Sequence, residues 1–208
     1  MKRIEDFKNP FQAIIEFERL LCEFTGAPFC VTTDCCTHAI EIAFRLSHNG
    51  STIRFPAKTY LSVPMTMHKL GINYELTDTE WRKDKGYQFE NSCIYDYARK
   101  FELGMYIPNT IQCVSFGLHK PLQIGLGGCL FTDDANLYKE ASRMRYDGRD
   151  IFNFTPWVSQ KVFRVGYHYY LRPEECVTGI NLLNDKNFTE QLDKYFDYPD
   201  CRELQIID

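Results

Sequence analysis

The chain has no long apolar run. Nowhere do its 208 residues approach the roughly 20 consecutive apolar positions that a membrane-spanning helix needs, so no membrane partner is expected. A strong charge of either sign is also missing: 24 Lys+Arg stand against 28 Asp+Glu, for a formal net charge of -4. With no basic run to follow a phosphate backbone, nucleic acid is not an expected partner. Paired C-x-x-C units are absent. The nine cysteines are scattered through apolar segments, and the one close pair, Cys35-Cys36, is adjacent, which turns the two side chains apart in most backbone conformations. They read as reduced, mostly buried thiols, and no metal site is expected. The opening stretch, Met1 to Gln12, reaches acidic residues before any apolar region, unlike a secretory leader, so a cytoplasmic location is expected. Internal repeats and low-complexity tracts are absent too.

What the chain does have is apolar content of 44%, with aromatic residues making up 15% of the whole chain, enough for one sizeable core. A single domain over 1-208 is expected, its core from about 10 to 184 and a polar tail over 185-208. Phe11, Ile14, Ile15, Phe17, Leu21 and Phe24 recur at helical spacing between Pro10 and Thr25, and Gly26 follows where a helix end favours glycine. A strand is expected over Phe29 to Thr33 and a helix over Thr37 to Leu46, closed by Asn49-Gly50. After them come a strand at Thr52 to Phe55, a helix over Leu61 to Leu70 and a strand at Asn73 to Leu76. The stretch Asp78 to Glu90 is polar without a period and reads as a loop. Strands follow at Cys93 to Tyr95, Ile111 to Phe116 and Cys129 to Phe131, and helices at Asp134 to Arg145 and Glu174 to Leu183. This alternation predicts an α/β fold, three-layer α/β/α with a mostly parallel sheet.

The segment from Ser115 to Gly128 carries the first hint of chemistry. Lys120 lies just past a strand and precedes a proline, which pushes its backbone toward extended conformations, so it should project from a defined turn. Gly125, Gly127 and Gly128 would let the backbone pass close to another group. By local sequence alone, Lys120 is more often a solvated surface lysine. Asp96 ends a strand, where ligands collect in parallel α/β sheets; a turn-capping carboxylate is the alternative. Thr37 opens a helix, where free N-H groups favour a phosphate, or it is a simple cap. Tyr60, entering a helix, reads locally as core.

In order and spacing these segments resemble the DegT/DnrJ/StrS aminotransferases, which depend on pyridoxal 5'-phosphate (PLP). The resemblance covers nearly the whole chain and implies an aspartate aminotransferase-like large domain. Ser115, Phe116, Lys120 and Gly127-Gly128 are similar to the family's Schiff-base segment, which makes Lys120 the PLP-bonded lysine. Phe17-Glu18 and Thr25-Gly26-Ala27 resemble the family's opening helix and its turn. Cys36-Thr37 falls in its phosphate-binding turn, with Cys36 at the usual glycine. Tyr60 falls at the aromatic residue that covers the cofactor ring, and Asp96 at the carboxylate that pairs with the pyridine nitrogen. Arg99 stands where the family generally has Gln. Arg145-Tyr146-Asp147-Gly148-Arg149 resembles its Arg-x-x-Gly-Arg stretch. His168 stands at an Asn that reaches a neighbouring subunit's phosphate, and Tyr170 replaces an arginine. The implied catalytic residues are Lys120 and Asp96, and the implied cofactor contacts are Cys36, Thr37, Tyr60, Asp96, Arg99, Ser115, Lys120 and His168.

Family members are usually longer, with further units near Asp78 to Cys93 and a C-terminal small domain after Leu183, so a shortened form is expected. The resemblance implies a homodimer that aminates a keto-sugar nucleotide from an amino-acid donor, in lipopolysaccharide or other surface-glycan synthesis. The alternative is a catalytically impaired homologue serving as a binding or interaction module. A dehydratase of the same fold ranks last, because its usual sign is His in place of the lysine.

Overall fold

The computed structural model describes residues 1-185 and 197-204. Most of the expected tail therefore lies outside the described residues. Helix α1, Gln12–Thr25, ends at Gly26 in the left-handed conformation (φ 79°), whose N-H bonds the Cys22 carbonyl. Strand β1, Phe29–Thr33, leads into α2, Cys36–Ser47. Then come β2, Ile53–Pro56, α3, Ser62–Leu70, and β3, Tyr74–Thr77. The stretch expected to be a loop contains the short strand β4, Tyr87–Gln88, before β5, Ile94–Asp96. Strands β6, Ile111–Ser115, and β7, Gly128–Thr132, are followed by α4, Ala135–Met144, and α5, Pro173–Leu183.

The five-stranded sheet runs in the order β1-β7-β6-β5-β4, with β2 and β3 paired beside it. The sheet is mixed, with most strands sharing one direction. In the larger sheet only β5 and β6 pair in parallel, while β1-β7, β6-β7 and β4-β5 are antiparallel. An antiparallel bridge from Arg54 to Glu90 links β2 to the strand β4 segment. Tracing directions across these pairings, β1, β6, β5, β2 and β3 all run one way, and β4 and β7 alone are reversed. The cause lies in the connections. A parallel neighbour needs a crossover of a dozen or more residues, usually a helix, whereas β4-β5 and β6-β7 are joined by helix-free turns.

Side chains alternate across the strands, so the sheet feeds two cores. Val31, Cys113 and Leu130 face one, built with Ile40, Phe44 and Met67 from α2 and α3. Their sequence neighbours Cys30, Val114 and Phe131 face the other, built with Phe17 and Leu21 of α1 and Ile180 of α5. This is the expected three-layer α/β/α arrangement, and the thiols are free, six of them buried. One polar network crosses it. The buried Arg145 guanidinium pairs with Glu18 of α1 and donates to the Thr32 carbonyl at 2.7 Å, while Glu18 accepts from the Thr32 N-H at 2.8 Å. It clamps the first helix, the first strand and the end of α4 together.

Candidate functional site

The strand ends and the turns after them enclose a cavity of about 860 Å³. Seven of the eight residues singled out in the sequence line it: Cys36 and Thr37 from α2, Tyr60 ahead of α3, Asp96 and Arg99 from the end of β5, Ser115 from β6, and Lys120. These residues are spread over 85 positions of sequence, from 36 to 120, and only the fold collects them.

The β6-β7 turn delivers the lysine. Gly125 and Ile124 donate their N-H groups to the Phe116 carbonyl at 2.9 and 3.1 Å, and Lys120 N-H bonds the Gly117 carbonyl at 3.3 Å. Leu122 is fully buried and pins the turn from beneath. The glycine pair has a steric role. A Cβ on Gly128 would lie 2.5 Å from the Cys36 nitrogen and 2.7 Å from the Val114 carbonyl oxygen, so β7 passes the start of α2 at a distance that only glycine permits. Cys35, in extended conformation, begins α2 without a side-chain cap, which leaves first-turn N-H groups to face the cavity end. The Thr37 hydroxyl lies 2.7 Å from the Ser62 hydroxyl.

Asp96 sits deep, 7% exposed. Its Oδ1 accepts from the Ala98 N-H at 2.9 Å and its Oδ2 from the Tyr87 hydroxyl at 3.1 Å, and that hydroxyl is 2.7 Å from Thr59 Oγ1. Burial pushes the carboxyl above its ordinary range despite the opposing pull of these donors and of Lys120. The Lys120 amine is shifted the other way. Burial lowers its pKa and the Arg99 cation adds to that, with Asp96 and Cys36 opposing. Arg99 is buried, and its Nη1 donates to the Tyr198 hydroxyl at 3.2 Å. Tyr60 is 60% exposed, so its ring stands at the mouth and is not the core residue its local sequence suggests.

His168 is the residue the fold does not bring in. It does not line the cavity; its side chain is largely exposed, with Nδ1 3.2 Å from Asp147 Oδ2. Within one chain it has no contact with the other seven, and a cofactor role for it requires a second copy. Sequence reasoning missed Trp81 and Tyr198, both of which line the cavity. Each is a large aromatic in a polar stretch, and that was the only local signal. Asp34, Cys35 and His38 form a three-donor group, their ligand atoms all within 4.8 Å of one another. Its His38 and Asp34 already bond each other at 2.6 Å.

Comparison with known proteins follows the same lines. Residues 5-82 match the profile of the DegT/DnrJ/EryC1/StrS aminotransferase family, which bears out the resemblance over the segments from Phe17-Glu18 to Tyr60. No curated protein matches by sequence. The fold is similar to that of Helicobacter pylori PseC, an aminotransferase involved in the biosynthesis of pseudoaminic acid. There the TM-score is 0.64 and the identity 17%, over 81% of this chain and 56% of that one. A DegT DnrJ EryC1 StrS aminotransferase from Brucella abortus gives 0.63 and 17%, over 83% and 59%. Bacillus subtilis ntda with bound cofactor PMP gives 0.63 and 16%, over 82% and 47%. The chain thus spans about half to three-fifths of the length of these proteins.

Proposed function

We propose that this chain, whose residues 5-82 match the DegT/DnrJ/EryC1/StrS aminotransferases, holds pyridoxal 5'-phosphate in the cavity and transfers an amino group with it. The cofactor of that family is PLP. One observation carries the reading: Lys120, Asp96 and the uncapped start of α2 open onto a single cavity. Pyridoxal phosphate has three chemically distinct ends, and each finds a suitable partner here. The aldehyde would meet an amine, the ring nitrogen a carboxylate, and the phosphate a set of N-H groups at a helix start. The volume of about 860 Å³ leaves room for a substrate beside it.

When bound, PLP supplies an electron sink for the carbon that loses its proton. The chain's own residues do the rest. Lys120 would hold the cofactor through its aldehyde and, freed from it by an amine donor, would carry a proton from the donor carbon to the former aldehyde carbon, a general-base role worth roughly 10²- to 10⁴-fold. Its lowered pKa suits both tasks, because more of it is free amine near neutrality. Asp96 would hold a proton on the ring nitrogen, and its raised pKa makes it the better acceptor for such a hydrogen bond. Thr37 and Ser115 offer hydroxyls, and Tyr60 offers an exposed ring to cover one face.

The finer assignments extend the same proposal: a keto-sugar nucleotide acceptor, an amino-acid donor and a part in surface-glycan synthesis in the cytoplasm. They draw on family resemblance alone. A homodimer belongs with them, His168 of each chain serving the neighbour's site. The test is direct. Purified protein mixed with PLP should develop a visible absorbance band that borohydride fixes on Lys120, and Lys120→Ala should abolish the fixation. A protein that stays colourless would sink the reading. The second reading, a binding module without turnover, is favoured by three departures from the family's usual residues, Cys36, Arg99 and His168. Half-transamination with a panel of amino acids separates the two, since a binding module leaves the spectrum unchanged.

A further inference from the structure

Residues 197-204 return from the C-terminal side to the cavity and are held there by independent contacts. The Cys201 N-H bonds the Ala57 carbonyl at 2.9 Å, and its thiol donates to the Thr59 carbonyl at 3.6 Å. Arg202 donates to Asp78 at 2.6 Å, and Arg82 donates to Asp197 at 3.2 Å. Cys201 is buried, at 4% exposure. Between these anchors Tyr198 enters the cavity wall. Its ring lies nearly parallel to Trp81, 6.1 Å between centroids and 18° apart, and edge-on to Tyr60 at 6.0 Å. Its hydroxyl accepts from Arg99 at 3.2 Å, with the guanidinium carbon 5.9 Å from the ring centre.

We infer that this segment is a working wall of the site, in which Tyr198 holds the Arg99 guanidinium over the cavity so that a fixed cation there favours the unprotonated, nucleophilic form of Lys120. The geometry is that of a cluster in one enclosure: Arg99, Tyr198 and Lys120 line the same cavity. An amine that must share a partly dry space with a permanent cation is destabilised as ammonium, because like charges repel more strongly where water is scarce.

The groups facing Lys120 come from each element around it. Cys36 is on α2, Asp96 ends β5, Arg99 follows it, His119 precedes the lysine and Tyr198 comes from the returning segment. Of these, Arg99 lowers the lysine's proton affinity, while Asp96 and Cys36 raise it. Arg99 and Tyr198 are positioning residues: they act on the amine and do not need to touch a substrate. The inference builds on Lys120 as the reacting amine, but its physics is present in the chain before any cofactor binds.

The test therefore uses the full chain without PLP. Pulsed acetylation with acetic anhydride, read at Lys120 by peptide mass mapping from pH 6 to 10, reports the free-amine fraction. Arg99→Gln should slow Lys120 labelling at pH 7 by about tenfold and move its profile to higher pH. Arg99→Lys should restore the wild-type profile, and Tyr198→Phe, which keeps the ring packing, should move it part of the way. Profiles for Arg99→Gln or Tyr198→Phe that superpose on wild type overturn the inference. A colourless protein whose Lys120 still responds to Arg99 would sink the cofactor reading and leave this one standing; a coloured protein whose Lys120 ignores Arg99 does the reverse.

Discussion

Replacing Asp96 by Asn should stabilise the cofactor-free protein at neutral pH while weakening its hold on PLP. The carboxylate is buried, and burial raises its pKa even after the Ala98 N-H, Lys120 and the Tyr87 hydroxyl have pulled it down. A residual penalty for the charged form is therefore built in. Asn fits the same hydrogen bonds. Its Oδ1 can accept from Ala98 and its Nδ2 can donate to the Tyr87 oxygen, whose own proton then turns to Thr59 Oγ1, now 2.7 Å away. The gain is on the order of 1 kcal/mol, or 2 to 4 °C in Tm for a chain of this size. The sign with pH is fixed by linkage. A carboxyl whose folded pKa lies above its unfolded value near 3.8 binds more protons in the folded state, so wild-type stability falls as pH rises through the folded pKa. The Asn variant lacks that fall, and the two proteins should converge below the unfolded value. With PLP the order reverses. Losing one charge-assisted hydrogen bond costs about 1.5 to 3 kcal/mol, a tenfold to hundredfold weaker cofactor. Calorimetric Tm across pH and absorbance titration with PLP measure both halves. An Asn variant less stable than wild type at pH 7.5, or a stability gap that does not change with pH, refutes the reasoning.

Two other perturbations follow from buried charge. Glu18→Gln leaves the fully buried Arg145 cation without its carboxylate and should cost about 3 to 5 kcal/mol in urea unfolding; a loss under 1 kcal/mol would show the network to be dispensable. His38 should give the folded chain a stability that disappears in mild alkali. Burial works to lower its pKa, but the bond to Asp34 at 2.6 Å and the Cys35 thiol outweigh it and push it up to about 9, from 6.5. That contribution is fully present below pH 6.5 and lost as pH rises through about 9. His38→Gln should flatten the fall in Tm across that interval, and an unchanged slope counts against the reading.

Legibility tracked the range over which each signal acts. Gly26 closing α1 and the apolar strands β1, β6 and β7 were readable because spacing and a turn residue lie within a few positions of one another. Strand β4 was not: two residues are too few to show a period, although the alternation of Tyr87 and Phe89, both buried, is its trace. Strand direction was readable where a helix intervenes and failed where a turn does, which is why β4 and β7 escaped. The cavity residues came from motif order and not from periodicity, since no local pattern joins Thr37 to Lys120. Long-range partners with no motif were invisible. Arg145 meets Glu18 across 127 positions and Tyr198 meets Arg99 across 99. For the second pair the consequence is chemical. The Arg99 side chain departs from the family's usual Gln, and the structure gives that departure a partner, so the substitution and the returning segment are better understood as one device than as two unrelated oddities. A cation introduced alone beside Lys120 and Asp96 would be free to swing onto the carboxylate and neutralise it. A cation tied to a tyrosine hydroxyl anchored by Cys201 and Arg202 has a defined place, and a charge with a defined place can tune a neighbouring amine without quenching the buried Asp96 carboxylate.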